Sequence, residues 1–237
     1  MEETGAWELP TELVLLRDNI KKFMREEVCP AEETLEHDAY RMPDKLLEPL
    51  QKKAKGELGI WCMNTPKEYG GSELSLLAQA VVAEEAAQCR MGAYVPACGA
   101  FGVDPPNVIF DGSKLQIDEY GKRTIEQGLK AFVAISEPGG GADPARAIQC
   151  KAELKGNQYV LNGTKLWITG AEAAEWGIVF ARTDNGITCF IVDKEMEGIE
   201  TRPVPVIRSY SPSEVNFVDC KVPVENLLGE EGKGFAL

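Results

Sequence analysis

The chain has 237 residues, 44% of them hydrophobic and 27% charged, with a formal net charge of −13. At roughly 150 residues per domain this is material for one or two domains, each with enough apolar mass for a core. The acidic balance argues against nucleic acid, whose phosphates need clustered Lys and Arg, and against an anionic membrane surface; no apolar run reaches the length of a membrane span.

Apolar spacing is helical up to about residue 130. Thr11 is placed to N-cap a helix whose Leu13, Leu16, Ile20, Phe23 and Met24 share one face. Cys29-Pro30 is expected to end it, because proline disfavours helix in the preceding residue. Asp44 to Lys55 reads as a weaker helix kinked at Pro49, and Leu74 to Cys89 as a good one. Gly92 to Phe110 is broken by glycines and Pro105-Pro106. Ser113-Lys-Leu-Gln116 is a capping box that opens a helix running to about Gly128.

After residue 130 the spacing becomes two-residue, with β-branched enrichment. Asn162-Gly163 and Asn185-Gly186 each lie between strand-like runs and predict tight antiparallel hairpins. The second pairs Gly177–Thr183 with Ile187–Val192; Val204–Ile207 and Val215–Val222 read as further strands. The fold class is therefore α+β: an all-helical N-terminal domain followed by an antiparallel β-sandwich or barrel. The chain closes on Gly229-Glu-Glu-Gly-Lys-Gly-Phe-Ala-Leu237, a loop running into the first turn of another element, which reads as a fragment.

Seven cysteines, an odd number with no C-x-x-C pair, argue against a disulfide framework and for a reducing compartment. They read as small buried hydrophobes, and no Cys/His set has metal-ligand spacing, so no metal is expected. The acidic N-terminus lacks the features of a signal or transit peptide, so the cytoplasm is expected, or the mitochondrial matrix if a presequence has been removed. His37, the one histidine, sits in a polar connector and supports neither a catalytic triad nor a metal site. Glu84-Glu85 reads as a solvated or salt-bridged helix face rather than a pair of general bases.

The most informative stretch is Ala131-Phe-Val-Ala-Ile-Ser-Glu-Pro-Gly-Gly-Gly-Ala-Asp-Pro144: a strand, a sharp turn and a Gly-rich loop. Alone, Gly139-Gly140-Gly141 is a surface loop whose N–H groups can cradle a phosphate; it is neither a Walker A motif nor a dinucleotide fingerprint. A strand ending in a tight turn presents consecutive backbone groups, and here the Ser136 hydroxyl, to the hydrogen-bonding edge of a planar ring. Trp167 and Thr169 lie two apart and share a face if the strand is regular. Taken singly, Trp-x-Thr is more often a half-buried strand with a core Trp.

Four motifs lie in order along nearly the whole chain: Tyr69-Gly70-Gly71 after Pro66; Ser136-Glu-Pro-x-x-Gly-x-Asp143; Asn162-Gly-Thr-Lys-x-Trp-Ile-Thr169; and Val222-Pro-x-Glu-Asn-Leu-Leu-Gly229. Together they resemble the acyl-CoA dehydrogenase family. The resemblance implies an N-terminal helical domain over 1–130, a middle β domain over 131–233 and, at 234–237, the start of an absent C-terminal helical domain. It implies FAD, an acyl-CoA substrate, a separate electron-transfer flavoprotein as acceptor, and a homotetramer or homodimer. The first flavin segment falls on Val133 to Ala142, with Val133, Ala134, Ile135, Ser136, Gly141 and Ala142 against the cofactor and Ala142 also against the CoA arm. The second is Trp167, Ile168 and Thr169, with Trp167 packed on the ring and Thr169 near its N5.

Ala142 replaces a Ser usual in the family, and Glu73 a Gly. The family's catalytic carboxylate lies in the C-terminal bundle, so no residue of 1–237 is assigned as catalytic and the chain alone is expected to be inactive. The expected activity is α,β-dehydrogenation in fatty acid metabolism. The alternatives are a flavin-dependent oxidase or monooxygenase of the same fold, and a non-catalytic truncated binding module.

Overall fold

A computed structural model describes residues 8–37, 39, 41–91, 95–206 and 212–236. The chain divides into two compact units, Met1–Val103 and Asp104–Leu237.

The first unit is helical. Helix α1 (Thr11–Phe23) starts after Pro10 with no side-chain cap, so Thr11 stands in the first turn rather than at the cap. Pro30 does not stop the helix as expected. A π turn over Met24–Val28, in which the Cys29 N–H reaches the Met24 carbonyl, carries the chain into α2 (Cys29–Glu33). The wider turn resets the hydrogen-bond register just before Pro30, which has no N–H to lose. Helix α3 (Asp44–Lys53) holds Pro49 internally, and a π turn over Ala54–Leu58 ends at left-handed Gly59. Helix α4 (Leu76–Ala86) is capped by Ser75, whose hydroxyl accepts from the Ala78 N–H. Ile20, Phe23, Met24, Val28, Val82, Ala86 and Phe101 share the core of this unit. Glu85 is buried and accepts a hydrogen bond from Gln88, so the Glu84-Glu85 pair is not wholly a solvated face.

The second unit opens with the expected capping box: Ser113 and Gln116 bond reciprocally ahead of α5 (Lys114–Gln116). A π turn over Ile117–Lys122 leads into α6 (Arg123–Gln127), closed by left-handed Gly128. Then follow strands β1 (Ala131–Ala134), β2 (Lys151–Lys155), β3 (Gln158–Thr169), β4 (Trp176–Thr183), β5 (Gly186–Asp193), β6 (Ile199–Pro203), β7 (Pro212–Pro223) and β8 (Leu227–Leu228), with α7 (Pro144–Ala147) between β1 and β2. They form one sheet in the order β6-β7-β3-β2-β4-β5-β8, mostly antiparallel, with β1 paired parallel to β4. Both faces of β4 and β5 are covered. Phe190 and Val192 join one core with Leu161 and Phe217, while Ile178 and Ile191 join another with Ile109 and Trp176. That two-sided burial is why these strands read as unbroken apolar runs.

The hairpin expected at Asn185-Gly186 forms, with Gly177 opposite Val192 and Arg182 opposite Ile187, but its turn residues are Asp184-Asn185, because Gly186 already pairs with Thr183. The other Asn-Gly pair makes no turn. Asn162-Gly163 lies inside β3, and the hairpin turns at Gly156-Asn157 instead. Opposite Asn162, β7 bulges at Asp219, whose φ is +48°. The Asn162 amide spans that bulge, accepting from the Asp219 N–H at 2.9 Å and donating to its carboxylate at 3.1 Å. Gly163 is needed because a Cβ there would lie 2.7 Å from the Cys150 Cα. The strand expected at 204–207 starts and ends earlier, as β6; Val204 to Val206 are irregular, and Ile207 lies outside the described residues.

Candidate cofactor site

Strand β1 alternates as a half-buried strand should: Phe132 and Ala134 face the core, while Val133 is 40% exposed. Beyond it the chain folds into a tight turn. The Glu137 N–H donates to the Gly140 carbonyl at 3.2 Å, and the Gly140 N–H donates back at 3.1 Å. A Cβ on Gly140 would sit 2.8 Å from the Ala147 Cβ, so the turn closes only on glycine. The same bond engages the Gly140 N–H within the turn, so that group of the glycine run is not free to meet an anion. Gly139 borders open space, a Cβ on Gly141 would lie 3.9 Å from the Ser136 Oγ, and Gly141 and Ala142 are exposed.

The second segment departs from a regular strand. Lys165 pairs with Val215, but Ile168 pairs with Ser213, so Leu166 and Trp167 together oppose Glu214. This is a β-bulge. Trp167 carries it at φ +66°, a left-handed conformation that is strained for a bulky side chain. In a regular strand Lys165, Trp167 and Thr169 would share one face. The inserted residue instead turns Lys165 inward with Ile168, while Trp167 (55% exposed) and Thr169 face outward. Beside the bulge, the buried Ser213 Oγ has no hydrogen-bond partner among the described residues.

Two bonds draw the segments together. The Leu166 N–H donates to the Ser136 carbonyl at 2.9 Å. Beneath it, Lys165 Nζ donates to the Ile135 carbonyl at 3.0 Å and to Glu137 Oε1 at 2.9 Å. The Lys165 side chain is 0% exposed and that of Glu137 6%. The Glu137 carboxylate also accepts the Gln149 N–H at 2.7 Å and the Cys150 N–H at 3.0 Å. Such full satisfaction is what allows an ion pair to be buried. Burial, the dominant influence, pushes the adjacent Cys150 thiol up to about 12, so it stays protonated at neutral pH.

The nine residues expected at the site therefore take different parts. Ala134 and Ile168 are core residues by side chain. The Ile135 and Ser136 carbonyls hold the Lys165 ammonium and the Leu166 N–H. The Ser136 hydroxyl makes no hydrogen bond among the described residues. Val133, Gly141, Ala142, Trp167 and Thr169 are exposed. Glu137 and Lys165 carry the geometry, yet no role was assigned to them from sequence. The one signal was a lysine in a strand whose neighbours Leu161 and Ile168 are core residues. Among the described residues no helix is long and apolar enough to cross a membrane.

Comparison with known proteins bears on the same segments. The N-terminal-domain model of acyl-CoA dehydrogenases matches residues 10–127, and the middle-domain model matches 132–220. Mitochondrial isovaleryl-CoA dehydrogenase of Pongo abelii is 35% identical over 230 residues, covering 92% of this chain and 53% of that protein. The chain thus spans about half the length of the curated relatives it matches. An acyl-CoA dehydrogenase of Bacillus anthracis, solved in complex with FAD, superposes with a TM-score of 0.75 at 32% identity, over 97% of this chain and 40% of that one. A chain solved in work on the electron transferring flavoprotein of Acidaminococcus fermentans gives a TM-score of 0.77 at 29% identity, over 98% of this chain and 61% of that one.

Proposed function

Since this chain belongs to the acyl-CoA dehydrogenase family, we propose that its second unit holds the flavin of FAD between the 133–142 and 167–169 segments. The complete protein would then dehydrogenate an acyl-CoA thioester between its α and β carbons and pass the electrons to an electron-transfer flavoprotein. One observation carries the reading: two segments 30 residues apart in sequence are locked together by the Leu166–Ser136 and Lys165–Glu137 bonds, with Trp167 and Thr169 turned outward beside them. The residues fit such a group. A strained bulge that exposes an indole makes sense if a planar ring covers it, and a hydroxyl without an internal partner suits a polar ring edge.

Bound there, FAD supplies a hydride acceptor. The chain's own residues bind and orient. Trp167 would pack against the ring, the Ser136 hydroxyl would meet its pyrimidine edge, and the Thr169 hydroxyl would lie near N5. Donors aimed at that edge stabilise the negative charge that grows there in the transition state. Ala142 would contact the CoA arm through its backbone, lacking the family's serine hydroxyl. An α-proton is too weak an acid for a carboxylate unless the thioester carbonyl is polarised. No residue of 1–237 is assigned that base. The same reading divides the chain into a helical domain over 1–130 and a β domain over 131–233, and assembles the whole protein as a homodimer or homotetramer in the cytoplasm or mitochondrial matrix.

Full-length protein given FAD, acyl-CoA thioesters of several lengths and an artificial electron acceptor tests this. Flavin retained through gel filtration and bleached by one thioester supports it. Protein that binds no flavin and leaves every thioester unchanged overturns it. Ala142 favours a second reading, a flavin oxidase or monooxygenase on the same fold. Rapid reoxidation of reduced flavin by oxygen, without CoA binding, would select that one.

A further inference from the structure

The helical unit buries a carboxylate that has no cation beside it among the described residues. Glu32, at the end of α2, is 5% exposed. Its two oxygens accept the backbone N–H groups of Arg90 and Met91, each at 2.8 Å. Among the described residues no basic side chain pairs with it. Facing it instead are two thiols. Cys98 Sγ lies 3.5 Å from Glu32 Oε1 and 3.6 Å from Cys89 Sγ. The three ligand atoms all lie within 4.8 Å of one another.

Cys98 is 2% exposed and is aimed inward by an unusual backbone, with Ala97, Cys98 and Gly99 all left-handed at φ +50°, +54° and +89°. Cys89, just beyond α4, is half-buried. These residues lie 57 and 66 positions from Glu32, so no spacing motif announces them.

We infer that Glu32, Cys89 and Cys98 form a binding site for a thiophilic divalent cation of the Zn²⁺ type. A tetrahedral zinc with Zn–S of about 2.3 Å and Zn–O of about 2.0 Å has S···S edges of about 3.8 Å and S···O edges of about 3.5 Å. The 3.6 and 3.5 Å separations approach those edges before any ion is present. Two backbone N–H groups fix the carboxylate, as outer-shell donors do around metal ligands. Three protein ligands leave the fourth position to water on the Cys89 side. Binding releases the two thiol protons, so affinity rises with pH. The thiolate pair selects a soft or borderline ion over Mg²⁺ or Ca²⁺, which need oxygen ligands.

Titration of the reduced 237-residue chain with Co²⁺, followed by Zn²⁺, tests the site. The expected result is one Co²⁺ per chain with a thiolate-to-cobalt charge-transfer absorption, displaced by one equivalent of Zn²⁺. Cys98→Ser and Cys89→Ser should lose that absorption, Glu32→Gln should bind at least about 10-fold more weakly, and Cys220→Ser should behave as wild type. Absence of the absorption in the wild-type chain, or its persistence in Cys98→Ser, overturns the inference. Should the serine variants fail to fold, alkylation of the wild-type chain decides. Zn²⁺ should protect Cys89 and Cys98, mapped by peptide mass, and unchanged reactivity of Cys89 refutes the site.

Discussion

Each unit buries one glutamate that accepts two consecutive backbone N–H groups: Glu137 those of Gln149 and Cys150, Glu32 those of Arg90 and Met91. Each stitches a distant loop to its own segment, and each has a cysteine beside it. The difference is the counter-charge. Glu137 has the buried Lys165 ammonium at 2.9 Å, while among the described residues the side chain facing Glu32 at 3.5 Å is the Cys98 thiol. A buried carboxylate with a cation is electrostatically closed and serves as a girder. One without a cation is held by hydrogen bonds alone, and its charge is left to be met by an ion. The same backbone job therefore leaves one site structural and the other open to a ligand.

Removing one charge at a time should separate them. Lys165→Met strands the Glu137 carboxylate and Glu137→Gln strands the Lys165 ammonium. Each is expected to cost about 3–5 kcal/mol in denaturant unfolding, with the double variant recovering much of the loss. Additive losses would show that the pair is not coupled. Glu32→Gln leaves no charge stranded but sets an amide NH₂ against a backbone N–H, so about 1–3 kcal/mol is expected. If it costs as much as Glu137→Gln, Glu32 has a cation in solution already. Added Zn²⁺ should raise the thermal midpoint of the wild type more than that of Glu32→Gln at the same concentration.

Trp167→Gly sharpens the contrast between holding the site and filling it. Glycine relieves a left-handed strain of about 1–2 kcal/mol but adds about 0.5–1 kcal/mol of unfolded-state entropy, so stability should stay within about 1 kcal/mol of wild type. FAD affinity in the full-length protein, followed by flavin fluorescence, should still fall. A large loss of stability would make the indole a core residue rather than a ligand face. The smallest effects are at the caps. Ser75→Ala and Ser113→Ala should each cost about 1 kcal/mol. Each hydroxyl accepts a single 3.3 Å bond, and at Ser113 the backbone N–H bond to Gln116 survives the substitution, so the two costs should be similar.

Several features were legible without coordinates because their causes are local. The Ser113–Gln116 cap needs only residues three apart. The β4–β5 hairpin follows from two apolar runs around Asp184-Asn185. Pro30 misled for a local reason of another kind, since a π turn removes the objection to proline that an unbroken α-helix would raise. Asn162-Gly163 misled because its partner is not its neighbour. The same dipeptide that turns a hairpin serves here to bridge a bulge in β7, 57 residues away.

By itself the sequence marked most of the helical and strand segments, and showed that the stretches around Ser136 and Trp167 resemble one family's motifs. These follow from side-chain periodicity, turn chemistry and residues adjacent in the chain. Only the tertiary structure decided that Lys165 points inward, because one residue inserted in β3 reverses the alternation that the spacing predicts. Only it paired that lysine with Glu137 and set Glu32 against Cys89 and Cys98. Burying a charge is settled by what arrives from elsewhere in the chain to meet it, and a count along the sequence has no access to that.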